Sequence, residues 1–255
     1  MTTENIPWLV AHRGDMREYP ENSWPALQAA VEAGACWLEF DIQMCADGTF
    51  VLLHDADFRR TGEDTRSVFN LDAADCRDIS VHQADKFGDR FKPAVTPLLD
   101  EVLTWLSEQT NVRAMVEIKT ESLDHFGREN VISTLLETLH GHYDRCVLIS
   151  FDDTALHLVS HTDPLQIGWV LHRYNDAQRK RAEQLNPDYL ICNQKKIPSD
   201  EPLWSGTWQW MLYDILDPQQ ALGWAQRGIR LIETGDITRL IKHPLLARNA
   251  CRHDV

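Results

Sequence analysis

The sequence predicts an α/β protein of the (β/α)8 TIM barrel class with a small insertion after the second strand. Three observations carry that expectation. Short apolar runs alternate with amphipathic segments along the 255 residues, giving eight strand–helix units from Trp8 onward if a hairpin arm is counted with the second. Chemically costly side chains (His12, Glu39, Asp41, Glu117 and Lys119) fall at or near the C-terminal ends of the predicted strands, where active sites of such barrels lie. A 43% hydrophobic chain of this length can bury one large core, so residues 1–255 read as one barrel domain with 56–96 as its inserted subregion.

The elements follow in order. Pro7 to Ala11 is an apolar run ending in His12-Arg13-Gly14, which reads as a buried strand with polar residues at its end. Trp24, Leu27 and Val31 recur at helical spacing until Gly34, and Asn22 is the expected cap of that helix. Cys36 to Met44 is a second strand. Residues i and i+2 of a strand share a face about 7 Å apart, so Glu39 and Asp41 point the same way. Asp47-Gly48 is a two-residue hairpin signal. Counting back from it opposes Ala46 to Thr49 and Asp41 to His54, which gathers Glu39, Asp41 and His54 on one surface.

Residues 56–96 are too long for a simple βα loop and predict an insertion with one short helix near Leu71 to Cys76. A helix starts at Pro97 to Val102. Val112 to Thr120 is a strand whose Met115, Glu117 and Lys119 share a face. Val131 to Leu139 carries an apolar helix stripe. Strands at 146–150, 167–171, 188–193, 209–213 and 229–234 then alternate with helices at 153–161, 176–185, 218–227 and 237–246. The sixth unit is weak: two prolines and a glycine between Ile197 and Thr207 leave its helix short or missing.

Two carboxylates on one face repel unless a cation lies between them, and hard oxygen ligands suit Mg²⁺ or Ca²⁺. Glu39 and Asp41 are therefore candidate metal ligands, with Glu117 from the neighbouring strand as the third. Lys119, one step nearer the strand end, can bind phosphate as a point charge.

H-R-G at 12–14, P-E-N-S at 20–23, E-x-D at 39–41, D-G at 47–48 and H-D at 54–55 resemble, in order and spacing, the glycerophosphodiester phosphodiesterase family. Val116 to Lys119 resembles the family's E-I-K strand, and Trp210 to Asp214 occupies the place of its W-T-V-N strand. The resemblance covers nearly the whole chain and is loose after Phe151. It implies hydrolysis of a glycerophosphodiester, a small-molecule substrate, to glycerol 3-phosphate and an alcohol, hence a role in glycerol and lipid metabolism. It also implies that the insertion caps the active-site end. A phosphodiester needs charge neutralisation, a base and an acid. His12 and His54 divide the acid and base duties, and Arg13 and Lys119 hold phosphoryl oxygens. One divalent cation, Mg²⁺ or Ca²⁺, sits on Glu39, Asp41 and Glu117. Glu21 matches the P-E-N glutamate and orients His12 or Arg13 or joins the metal shell.

The chain departs from the family where the seventh strand ends in Met211-Leu212-Tyr213 and the eighth in Glu233-Thr234. These ends line the expected pocket, so the substrate's outer group is open. Trp169 and Trp210 are pocket-wall or core-filling aromatics. Two alternatives stand beside the main reading: a related barrel acting on lysophospholipid or sphingolipid head groups, and a barrel that binds phosphorylated ligands without turnover.

A formal charge of −14 argues against a nucleic-acid surface and against charge-driven binding to anionic membrane. No run reaches transmembrane length, and Met1 to Asn5 lacks a signal-peptide pattern, so cytoplasmic location without stable membrane anchoring is expected. Six cysteines show no zinc spacing and suggest no disulfide framework. Cys36 and Cys192 read as small buried thiols in strands. Oligomeric state is open.

Overall fold

The structure is a computed structural model that describes residues 6–159, 164–199 and 201–251. Eight parallel strands close into a barrel: β1 (Trp8–His12), β2 (Trp37–Met44), β4 (Arg113–Ile118), β5 (Cys146–Ser150), β6 (Gln166–Val170), β7 (Tyr189–Asn193), β8 (Gln209–Tyr213) and β9 (Leu231–Thr234). Closure comes from β1 pairing with both β2 and β9. The ninth strand, β3 (Phe50–Leu52), runs antiparallel on β2 outside the barrel.

Alternation along each strand builds two apolar layers. Val10, Met115, Val147, Val170, Ile191, Met211 and Leu231 fill the barrel interior. Leu9, Leu38, Phe40, Val116, Leu148 and Ile232 face the surrounding helices. Trp169 and Trp210 are buried in that outer layer, as core filling. The helix after β1 spans Trp24–Glu32 with Pro25 in its first turn; those at 99–108, 128–139, 176–185 and 218–226 match the periodicity. The helix expected over 153–161 is seen from Asp153 to Val159, and its remaining residues lie outside the described ones. The last helix ends at Ile241 rather than at Leu246, because Pro244 disfavours helix in the residue before it.

In the sixth unit, among the described residues, β7 is followed only by the 3-10 turn Gln194–Lys196. Trp204 and Trp208 pack there instead, Trp204 stacked on Tyr174 at 4.1 Å.

The hairpin differs from its expected register. Met44 pairs with Phe50 and Ile42 with Leu52, so Asp41 lies opposite Leu53, one residue short of His54. The loop has three residues, not two: Cys45 N–H donates to Thr49 O at 2.7 Å, Gly48 N–H to Cys45 O at 3.1 Å, and Gly48 takes φ +87°. A turn closed by one left-handed glycine is the usual three-residue hairpin.

The insertion carries a 3-10 turn at Val68–Asn70 and helices at Arg59–Gly62, Ala73–Arg77 and Ala84–Phe87. Only the middle helix was expected. Phe58, Val68, Leu71, Cys76, Ile79 and Val81 give it a small core against Cys45, Val51 and Leu53.

Cys36 is not a free thiol: it forms a disulfide with Cys251. Cys251 lies at the N-terminal mouth of the barrel, where its N–H donates to Gly34 O at 2.9 Å. Two cysteines 215 residues apart leave no spacing signal. Cys192 is a buried free thiol, as expected. No helix of the described residues is long and apolar enough to cross a membrane.

Candidate active site

A cavity of about 280 Å³ opens at the C-terminal end of the barrel. His12, Arg13, Asp41, His54, Glu117 and Lys119 line it, with Ile149, Phe151, Val170 and Ile191 as an apolar wall and Tyr213, Asp214 and Glu233 beyond.

Register places the acids. In the β2–β4 ladder Asp41 lies beside Glu117, and in the β1–β2 ladder Glu39 lies beside His12. Carboxylate oxygens of Glu39, Asp41 and Glu117 fall within 4.8 Å of one another, all buried. Among the described residues Glu39 Oε1 has no hydrogen-bond partner, an orphaned buried oxygen of the kind that costs free energy unless a ligand completes it. Burial, then Asp41, Glu233 and Glu117, push the Glu39 carboxyl well above its ordinary range. This donor set fits a hard divalent cation.

The cations are built in by the turn after β1. Arg13 (φ +54°) and Gly14 (φ +78°) take successive left-handed conformations. A Cβ on Gly14 would lie 2.5 Å from the Ala26 carbonyl carbon, so glycine is required. The turn brings Arg13 N–H to Glu39 Oε2 at 3.0 Å, Nη1 to Glu21 Oε1 at 2.7 Å and Nε to Asp41 Oδ2 at 2.9 Å. Lys119 Nζ lies 2.7 Å from Glu117 and 3.3 Å from Asp41. Burial alone would raise Asp41, but Arg13 and Lys119 hold it well below the carboxylate range.

Glu21 is a brace rather than a member of the carboxylate triad. It accepts from Arg13 and, at 2.6 Å, from Arg60 of the insertion. Asn22 does not cap the following helix; Ser23 does, accepting from Ala26 N–H. With φ +52°, Asn22 instead turns inward, Nδ2 donating to Asp41 Oδ2 at 3.0 Å and Oδ1 accepting from Asp41 N–H at 3.2 Å.

The imidazoles sit in different settings. His12 is lowered to about 4 by burial and by Arg13, which keeps it neutral. His54 reaches the cavity just past the end of β3, although the register that was to bring it there is shifted. Its Nδ1 lies 2.6 Å from Asp55, whose other oxygen accepts from Arg60 Nε at 2.7 Å. A carboxylate on Nδ1 fixes the ring and leaves Nε2 for chemistry.

Sequence reasoning missed Arg60, Asp55 as the His54 partner, the inward role of Asn22, and Glu233 as a neighbour of His12. Asp55 had its signal in the H-D pair. Arg60 had none, because its role depends on how the insertion folds back.

Residues 12–198 match the model of the glycerophosphoryl diester phosphodiesterase family. The chain belongs to this family. A glycerophosphodiester phosphodiesterase from Caldanaerobacter subterraneus is 30% identical over 191 residues, covering 71% of this chain and 76% of that protein. Human glycerophosphodiester phosphodiesterase 1 is 26% identical over 164 residues, 64% of this chain and 48% of that one. Among solved structures, an Oleispira antarctica phosphodiesterase in complex with the product sn-glycerol-3-phosphate superposes with TM-score 0.79 at 22% identity, covering 92% of this chain and 95% of that one. A Silicibacter pomeroyi structure described as a glycerophosphoryl diester phosphodiesterase superposes with TM-score 0.78 at 20% identity, covering 97% and 96%. At those identities the two structures speak for the fold.

Proposed function

We propose that this member of the family hydrolyses glycerophosphodiesters to glycerol 3-phosphate and an alcohol, with a divalent cation and two histidines. The observation that carries the reading is the orphaned Glu39 Oε1, inside a buried carboxylate triad and beside a cavity that holds both imidazoles. Glu39, Asp41 and Glu117 would hold one Mg²⁺ or Ca²⁺, which when bound supplies Lewis-acid polarisation of a phosphoryl oxygen. Lys119 and Arg13 offset the remaining phosphoryl charge, their own positions set by Asp41, Glu117 and Glu21. A neutral His12 takes a proton from the glycerol 2-hydroxyl as it attacks phosphorus, and His54, backed by Asp55, gives one to the leaving alcohol oxygen; water then opens the cyclic phosphate to glycerol 3-phosphate. Across the net reaction water adds over the P–O bond to the alcohol.

The apolar wall of Ile149, Phe151, Val170 and Ile191 suits the carbon skeleton of the bound moiety. A panel of glycerophosphodiesters and lysophospholipids, assayed with Mg²⁺ and with Ca²⁺ for glycerol 3-phosphate release, tests the reading. Release from the water-soluble diesters that stops in excess chelator is expected. Turnover of the lipids alone, or full activity in chelator, would overturn it.

A further inference from the structure

The last barrel strand brings a fourth buried carboxylate into the site. Glu233 is 4% exposed, and its Oε1 lies 3.3 Å from His12 Nε2. The other carboxylate near that nitrogen, Glu39 Oε2 at 3.8 Å, already accepts Arg13 N–H and belongs to the cation triad. A cation on that triad draws on Glu39, which leaves Glu233 as the carboxylate facing the imidazole. His54 has a carboxylate beside it as well, Asp55, hydrogen-bonded at 2.6 Å to its Nδ1. Each imidazole thus has its own carboxylate, one from the segment entering the insertion and one from β9. Placing Glu233 here is electrostatically unfavourable, because Glu39 has an oxygen within 4.8 Å of it and the charges of Glu117 and Asp41, gathered around Glu39, also oppose its ionisation. Like charges gathered at a buried position are expected where function rather than stability sets the residue.

The geometry points to Glu233 as a positioning residue that holds the His12 ring in one rotation for the reaction proposed above, on which this inference rests. With Nε2–H turned toward Glu233, the contact restrains the ring and leaves the Nδ1 lone pair for the base role given to His12. Removing it frees the ring to turn, which lowers the fraction of enzyme with His12 aimed productively. Substrate affinity, set by Lys119, Arg13 and the cation, changes little.

The test compares Glu233→Ala and Glu233→Gln with wild type in kcat, KM, Mn²⁺ affinity, melting temperature in chelator and histidine side-chain ¹⁵N NMR. Glu233→Ala is expected to lower kcat about 10–100-fold, the scale seen when the carboxylate that orients a metal-bound histidine is removed, with KM and Mn²⁺ affinity nearly unchanged. Glu233→Gln, which keeps length and hydrogen bonding, returns most of kcat. Both melt at or above the wild-type temperature, since a like charge leaves the cluster, and the His12 resonances move in the Ala variant only. Unchanged kcat in Glu233→Ala, or equal loss in both variants, would overturn the assignment. So would a fall in Mn²⁺ affinity parallel to kcat, which would make Glu233 a cation ligand, or a lowered melting temperature or failure to fold, which would make it structural. A wild type inactive on every diester, with the NMR difference intact, would fault the proposed reaction and leave the contact standing.

Discussion

Replacing Asn22 by alanine removes two buried hydrogen bonds to one residue. The Asp41 backbone N–H loses its acceptor, and an unpaired buried donor costs about 1–3 kcal/mol. The Asp41 carboxylate loses the Nδ2–H donor, a charge-assisted bond of about 1.5–3 kcal/mol. Alanine at φ +52° adds about 1 kcal/mol over asparagine, which tolerates the left-handed region. Arg13 and Lys119 still hold the carboxylate, so these terms do not add in full, and roughly 4 kcal/mol is expected. Ser23→Ala, the actual loss of the helix cap, should cost about 1–2 kcal/mol. Urea unfolding of chelator-treated protein, followed by tryptophan fluorescence, measures both. Asn22→Asp, which puts a second acid against Asp41, should be at least as damaging as alanine. Asn22→Ala costing no more than Ser23→Ala would refute the inward role and restore that of a cap.

Three further outcomes follow from the same geometry. His54→Ala should lose about 10²–10⁴-fold in kcat while still binding Mn²⁺; near-normal turnover would remove His54 from the reaction. Asp55→Asn keeps the shape beside Nδ1 but not the charge, so kcat should fall with little change in KM; a loss confined to KM would contradict an orienting role. Glu39 and Glu233 have folded-state pKa values above their unfolded ones, chiefly through burial, so the folded chain binds more protons and stability falls as pH rises through them. His12, lowered to about 4, acts oppositely but only between there and its unfolded value of 6.5. Above its unfolded value His12 no longer contributes, so in chelator the melting temperature should fall as the raised carboxylates ionise, and saturating cation should reduce that fall. A flat or rising profile in chelator would count against carboxylate crowding.

What the chain discloses before folding depends on range. The i, i+2 rule put Glu39 and Asp41 on one face, and the parallel ladder then set Glu117 beside Asp41 with no help from side chains. Local turn chemistry failed by one residue at Asp47-Gly48, because a three-residue loop uses the same glycine as a two-residue one. His54 still reached the cavity because it lies past the paired part of β3, where register no longer dictates the face. The insertion was the least legible part. Its helices are a turn or so long, below the length at which periodicity is informative, and Arg60 meets Glu21 only through tertiary folding. Glu233 was visible as an unusual strand end, but its partner lies 221 residues earlier on β1, and barrel closure alone brings them together.

The central claim is a cation held by three buried acids, and direct titration with Mn²⁺ by electron paramagnetic resonance measures it most plainly. Wild type should bind one ion per chain at the triad, and Glu39→Gln, Asp41→Asn and Glu117→Gln should each weaken binding by at least about tenfold, as loss of a charged oxygen ligand demands. A chain that binds no ion, or binds it equally well without any of these carboxylates, would contradict the account.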